Sequence, residues 1–493
     1  MKPLITPADM RDMEQRYFAQ TGTASIELME VAARALCDAI IRRYGTDRTV
    51  YFACGPGGNG GDGYACARMY ARAGGRAYIA SAGEPASPDA AENLRRAREA
   101  GIGEAPEGVP DVWVDALYGT GLSRAPSGAS AELIARMNAD RARGSAVVAV
   151  DIPSGLNGLT GAAYEPCVGA DVTMTFQYAK PGCFLADGLD AAGEIAVADI
   201  GIPEAYWPQN SPALVDEAEV RRVIAPRPRN FHKGRGGHLL IVAGSFGMAG
   251  AAAMCAAGAL RSGAGLVTIA CPESIVPMLQ TLVPCAMCVP LPEKDGAIEG
   301  SAAGELRDML PGKSAVACGC GLSRRASKRV LQQLMDADVP TLFDADALNL
   351  ISESDILRAA FKPHHLITPH PGEAARLLGR KAENPIEDAA ALRAMGCAVL
   401  LKGAATVIPG EARTMISASG NSGMAKGGSG DVLAGLIGGL MAQRPGEDLA
   451  LLAAVGSQLH GVAGEIACAE KGVYGMTAMD IAEALPAAML RYA

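Results

Sequence analysis

The chain has 493 residues, 49% of them hydrophobic and 20% charged, with a formal net charge of −9. That is too long for one core and too apolar for a disordered chain, so two or three folded domains are expected. The acidic balance argues against a broad nucleic-acid-binding surface, and no nucleic-acid partner is expected.

In chain order, Met1 to Gln20 lacks an apolar h-region, and no run of 18 apolar residues follows. Neither a signal peptide nor a membrane span is therefore expected. Thr6-Pro7 marks a helix start, a cap residue followed by proline in the first turn. A second helix is predicted over Ser25–Tyr44, stopping at Gly45, with an inward stripe of Leu28, Val31, Ala35, Leu36 and Ile40. Strands are predicted at Val50–Cys54, Ala77–Ala80, Val112–Leu117, Ala146–Val150 and Val172–Phe176. Helical stretches separate several of them, which predicts βαβ units and a mostly parallel sheet. Glycine supplies 60 residues, well above the usual ~7%, as many tight strand-to-helix loops require.

The pattern restarts with candidate strands at Leu239–Val242, Gly265–Ala270, Ala315–Cys318, Thr341–Asp344, Leu366–Thr368 and Ala398–Lys402. Between the halves, Ser211–Lys233 contains the proline-punctuated link Ala225–Asn230. The boundary is placed near residues 213–225, giving domains at 1–215 and 220–493. The halves share no motif, so they read as two different α/β domains. The 13 cysteines are odd in number and scattered through apolar segments, which implies reduced thiols in a cytoplasmic protein. Cys285-x-x-Cys288 and Cys318-x-Cys320 have metal-like spacing but no partner pair, and read as core or loop cysteines.

In the first half, Gly55-x-Gly57-x-x-Gly60 follows a strand and opens a helix, as a dinucleotide fingerprint does. No acidic residue ends the next strand to hold a ribose. Asn59 and Asp62 add oxygens that an ordinary turn of this kind lacks. Two more strand ends carry carboxylates, Asp115 before Gly119-Thr120-Gly121 and Asp151 before Ile152-Pro153-Ser154. Ligands bind beyond the carboxyl ends of parallel strands, so these loops should converge. Asn59, Asp115 and Ser154 offer hard oxygens suited to a weakly held alkali cation, which leaves Asp151 for acid–base work. Either aspartate alone is better explained as a turn cap; three coordinated loops are not.

In the second half, Ala425-Lys426-Gly427-Gly428-Ser429-Gly430-Asp431 places a glycine loop before an apolar helix. Bare N–H groups and the helix dipole suit a phosphate there, and Asp431 suits a base that takes a proton from an attacking hydroxyl. A turn capped by Asp431 is the plainer alternative. Asp344 and Asp346, His370 between Pro369 and Pro371, and Lys402 also sit at strand ends. A Gly-x-x-x-x-Gly-Lys-Ser/Thr P-loop is absent, which argues against an ordinary P-loop kinase.

The first half resembles the NAD(P)H-hydrate epimerase domain. That family's Asn-Asn-Gly-Gly-Asp-Gly, Asp-Ala-x-x-Gly-Thr-Gly and Asp-Ile-Pro-Ser-Gly loops appear in order at 58–63, 115–121 and 151–155, with Gly58 in place of the first Asn. The second half resembles the ADP-dependent NAD(P)H-hydrate dehydratase family. The matches are His-Lys-Gly at 232–234, Asp-Ala-Asp at 344–346, Thr-Pro-His-Pro-Gly-Glu at 368–373 and Gly-Gly-Ser-Gly-Asp at 427–431, with Cys320 where that family usually has Pro. The resemblance implies two three-layer α/β domains, an N-terminal Rossmann-like domain with a parallel sheet and a C-terminal ribokinase-like domain. It implies interconversion of the R and S forms of hydrated NADH or NADPH by the first domain, and ADP-driven dehydration of the S form by the second.

By the same resemblance, Asn59, Asp115 and Ser154 hold K⁺. Gly58, Asn59, Gly60, Gly61, Asp62, Gly119, Thr120, Gly121, Leu122, Ser123, Arg124, Ala125 and Asp151 line the first substrate site. Lys402, Gly403, Ala404, Ala405 and Thr406, with Gly427, Gly428, Ser429 and Gly430, contact ADP accompanied by Mg²⁺. Gly250, Gly321 and His370 line the second hydrate pocket, where Asp431 is the base; Asp151 is the catalytic group of the first. A homo-oligomer is expected. Two rivals stand beside this reading: a ribokinase-like small-molecule kinase, and a first half that is a non-catalytic nucleotide-binding module.

Overall fold

The computed structural model describes residues 1–492 and divides at Pro212–Ala213 into two compact units, with Met1–Lys2 joined to the second. In the first unit, seven parallel strands lie in the order Gly103–Glu104, Arg76–Ser81, Thr49–Cys54, Val112–Ala116, Ala146–Val150, Val172–Phe176 and Glu194–Ala198. The chain builds outward from Thr49–Cys54 on one side, then returns to place Val112–Ala116 on its other side. The strand order therefore reverses between these two. The loops that leave their carboxyl ends splay apart there and open a crevice.

The central strands are buried throughout, so they carry apolar runs rather than alternation. Trp113 is wholly buried, and its indole N–H donates to Asp140 Oδ2 at 3.0 Å. The Ser25–Tyr44 helix buries Leu28, Ala32, Ala33, Leu36, Cys37 and Ile40. Val31, expected on that stripe, is 44% exposed. The i, i+4 row from Leu28 through Ala32 and Leu36 to Ile40 faces the sheet, and Val31 falls off its edge.

The second unit repeats the design with different loops. Its sheet runs Met287–Leu291, Leu266–Pro272, His238–Val242, Ala315–Cys318, Thr341–Phe343, His365–Ile367 and Ala398–Val399, all parallel. The reversal lies between His238–Val242 and Ala315–Cys318. The last strand is shorter than expected. After Val399 the chain turns, Leu401 bridges Val407, and Thr406–Pro409 pairs antiparallel with Thr414–Ser417.

Helices Ala249–Arg261 and Ser429–Gln443 pack backbone to backbone. A Cβ on Gly435 would lie 1.8 Å from Cys255 O, and one on Gly258 would lie 2.2 Å from Val432 O. Part of the glycine excess thus serves helix contact and not only turns. The helix Leu449–Gly475 is long and apolar enough to cross a membrane, but 78% of its most apolar window is buried in the unit. Ser457, Gln458 and His460 interrupt its apolar run, which is why counting consecutive apolar residues passes over it.

Candidate functional site

Each reversal point carries a cluster of the motif residues. In the first unit, Gly57 caps the helix Gly58–Arg72 without a side-chain hydrogen bond, so the first N–H groups remain open. The glycines keep this loop close. A Cβ on Gly55 would lie 1.9 Å from Leu117 O, and one on Gly60 would lie 1.9 Å from Gly55 O. Gly61 abuts Met29 Sδ in the same way, at 2.6 Å. Gly58 differs, since a Cβ there would meet only Met29 Cε at 4.0 Å. Backbone geometry does not demand glycine at 58.

Above this loop lies a cavity of 580 Å³ lined by Gly57, Gly58, Asn59, Asp62, Gly119, Thr120, Gly121, Leu122 and Asp151 among others. Ser123, Arg124 and Ala125, expected to continue that wall, are exposed and lie outside the lining. Gly60 and Gly61 sit behind it as packing residues.

Asp151 adopts a left-handed backbone at φ +67°, costly for a residue with a Cβ. Its Oδ1 accepts from Lys180 Nζ, from Thr175 Oγ1 at 3.1 Å and from the Phe176 N–H at 3.4 Å. Lys180 is fully buried and also donates to Thr175 Oγ1. Asp151 Oδ2 faces the cavity, 3.6 Å from where a Cβ on Gly119 would stand. Asn59 Oδ1 lies 3.3 Å from that same point, and the Asn59 Nδ2 is buried without a partner.

Asp115 lies below. It is fully buried, and among the described residues no cationic side chain reaches it. Ser154 Oγ and N–H donate to its two oxygens at 2.6 and 2.7 Å, and the Leu117 N–H adds a third bond at 3.3 Å. Burial outweighs these bonds and pushes its carboxyl up to about 6. Asp115 and Ser154 are thus in direct contact; Asn59 approaches the cavity from the Gly119 side.

An ionisable group of the cavity lies outside the motifs. Glu14, from the helix Pro7–Thr21, lines the cavity, and burial followed by the Asp151 charge pushes its carboxyl up to about 7. Burial and the charges of Asp151 and Glu14 hold Asp62 well above the usual carboxylate range. Lys180, the other group that sequence reasoning missed, is an isolated lysine after the Val172–Phe176 strand. Only its spacing from that strand could have marked it.

In the second unit, Gly428 caps the helix Ser429–Gln443 at φ +99° and again provides no side-chain bond. A Cβ on Gly430 would lie 3.6 Å from Lys402 Nζ and 4.0 Å from Asp344 Oδ2. The helix N-terminus therefore stands over a charged pair, with Lys402 Nζ 2.6 Å from Asp344 Oδ1 and 4.0 Å from Glu373 Oε2. Burial alone would lower the Lys402 ammonium, but these carboxylates raise it overall. Lys402, expected as a nucleotide contact, thus has its charge committed to Asp344. Gly403 and Ala404 are exposed beyond it, while Ala405 and Thr406 are buried at the start of the hairpin.

The Asp431 carboxyl is pushed up to about 6, by burial first and then by Asp344, against a hydrogen bond from Cys320 and the charge of Lys402. The Cys320 thiol supplies a donor that a proline would lack. Asp346 instead accepts from the Ser323 N–H at 2.8 Å and shapes the turn after Gly321. Gly321 at φ +60° packs on Met248, and Gly250 faces open space. His370 caps the helix Pro371–Leu378, its Nδ1 accepting from the Gly372 N–H at 3.0 Å. Its Nε2 lies 3.4 Å from Oε1 of the buried Glu373. His460, unmarked in sequence, hydrogen-bonds the Ser429 backbone, and burial pushes its imidazole down to about 4.

Two family models match this chain. The one described as NAD(P)H-hydrate dehydratase covers residues 239–487, and the YjeF-related protein N-terminus covers 25–182. The bifunctional NAD(P)H-hydrate repair enzyme Nnr of Moorella thermoacetica is 36% identical over 98% of this chain and 96% of its own length. The enzyme of the same name from Escherichia coli is 36% identical over 96% of this chain and 91% of its own. A solved ADP/ATP-dependent NAD(P)H-hydrate dehydratase from Bacillus subtilis aligns over 57% of this chain and 98% of its own, with 29% identity and a TM-score of 0.47. The chain belongs to the bifunctional NAD(P)H-hydrate repair enzyme family.

Proposed function

We propose that this protein restores hydrated NADH and NADPH, exchanging their R and S forms in the first unit and dehydrating the S form with ADP in the second. The observation that carries the reading is the Asp431 carboxylate on an uncapped helix N-terminus, beside the Lys402–Asp344 pair. The hydrate bears a hydroxyl at ring C6, and hydroxide leaves poorly. Asp431 takes the hydroxyl proton as the C6 oxygen attacks the β-phosphorus of ADP, and the P–O bond to AMP breaks. The N–H groups of Gly427–Gly430 stabilise the charge on the transferring phosphoryl group. Phosphate then leaves C6 with the bonding pair, N1 assists, and loss of a C5 proton restores the dihydropyridine. His370 Nε2, Gly250 and Gly321 are assigned to the hydrate side of this site.

Mg²⁺ is assigned to the diphosphate rather than to a protein cage, since no group of three His, Cys, Asp or Glu ligands occurs among the described residues. In the first unit the donor set fits K⁺. Asp115 is a buried carboxylate with no cationic side chain against it among the described residues, and Asn59 and Ser154 offer neutral oxygens. When bound, the ion would neutralise Asp115 and tie the three loops together. All 13 cysteines are free, which supports a reducing, cytoplasmic setting.

The test is incubation of hydrated NADH with the protein and ADP, then ATP, following reduced-nicotinamide absorbance. Recovery with release of AMP and phosphate, and no stable phosphorylated product, is expected. A phosphorylated product that accumulates would favour a small-molecule kinase instead.

A further inference from the structure

The cavity of the first unit holds more acid–base chemistry than one aspartate. Asp151 presents a single free oxygen, because Lys180, Thr175 and the Phe176 N–H occupy the other. Glu14 lines the same cavity, and its carboxyl makes no hydrogen bond or ion pair among the described residues. The buried, unpartnered Asn59 Nδ2 marks this space as one built for a polar ligand.

The chemistry asks for two groups. C6 of the hydrate carries both the hydroxyl and the ring nitrogen N1, so it is a hemiaminal carbon. Such a centre inverts without redox change if the ring opens and closes again. Opening needs a base on the hydroxyl and an acid at N1.

We infer that Glu14 is the catalytic acid that works opposite Asp151 in epimer exchange, an inference that rests on the function proposed above. Asp151 Oδ2 takes the hydroxyl proton. The oxygen pair forms the C6=O bond, the C6–N1 bond breaks, and N1 takes the Glu14 proton. Rotation about C5–C6 presents the other face of the aldehyde. N1 then attacks it, returning its proton to Glu14, while the oxygen recovers its proton from Asp151. Atoms and charge balance, and no co-reactant is consumed.

The groups facing Glu14 agree with this assignment. Arg11 on its own helix and Lys180 pull its proton affinity down, while Asp62 and Asp151 oppose them, and Asp89 lines the same cavity. The balance keeps Glu14 able to donate near neutral pH.

The test uses the full chain with purified R-hydrate and no ADP, so that dehydration is silent, and follows the epimer ratio by chromatography. Glu14→Gln should lower kcat for exchange by on the order of 10²–10⁴-fold, with KM and ADP-driven dehydration of the S form unchanged. Glu14→Asp should recover part of the rate. Wild-type kcat should fall as pH rises past about 7, and Glu14→Gln should lack that limb. The C6 oxygen should stay with the substrate in ¹⁸O-labelled water.

Retained kcat in Glu14→Gln, a raised KM alone, or a surviving alkaline limb would overturn the assignment. Solvent oxygen taken up at every turnover would overturn ring opening. Absence of exchange in the wild type would instead defeat the function proposed for the first unit, which separates the two failures.

Discussion

Lys402 Nζ stands 2.6 Å from Asp344 Oδ1, and Asp344 is only 2% exposed. The pair joins the ends of two strands under the glycine loop and fixes the floor on which Gly430 rests. Lys402→Met should therefore cost about 3–5 kcal/mol, because it strands a buried carboxylate. Adding Asp344→Asn should recover much of that loss. Denaturant unfolding of both single variants and the double variant measures the coupling.

Asp431→Asn should lower dehydration by on the order of 10²–10⁴-fold and leave epimer exchange intact. Burial raises the Asp431 carboxyl to about 6. A base must be ionised to act, so wild-type dehydration should hold above that pH and fall as pH drops through it. The pH profile of single-turnover NADH recovery tests the sign.

Asp115→Ala and Ser154→Ala should each lower epimer exchange and abolish any preference for K⁺ over Li⁺. With the wild type, K⁺ should raise the thermal midpoint more than Li⁺, because it neutralises a buried carboxylate. Equal midpoints and equal activities in K⁺, Li⁺ and a bulky organic cation would remove the ion from the site.

Asp151→Asn should stop exchange without altering dehydration of the S form. A mixed sample would then be repaired only to the extent of its S content, apart from slow spontaneous exchange. Rapid, complete repair by this variant would reduce Asp151 to a turn residue.

Gly435→Ala should destabilise the second unit by at least about 1–3 kcal/mol, since its Cβ would lie 1.8 Å from Cys255 O. Gly250→Ala, where nothing lies within 4 Å, should leave stability unchanged. Thermal unfolding of the two variants makes the comparison.

The buried strands were legible because a strand covered on both faces must be apolar throughout, as Ala146–Val150 and Ala315–Cys318 are. Of the edge strands, Ala398–Val399 was legible but two others were not. Glu194–Ala198 is half exposed, and Met287–Leu291 contains Pro290, so neither gives an unbroken signal. The motif loops were legible because glycines and carboxylates cluster in sequence before they cluster in space. Glu14, Lys180 and His460 reach their sites from distant elements and sit in unremarkable contexts. Only the folded chain brings them there. The commitment of Lys402 to Asp344 was hidden for the same reason, since 58 residues separate the partners.

The close contact of Ala249–Arg261 with Ser429–Gln443 through Gly258 and Gly435 has an entropic consequence. With no side chains between them, the two helices have little room to slide or roll. The N–H groups at the start of Ser429–Gln443 are therefore oriented before any ligand arrives. A loose loop would surrender about 1–2 kcal/mol per residue on capturing an anion. Here that ordering is completed when the protein folds, so an anion docking there would meet a receptor that is already rigid.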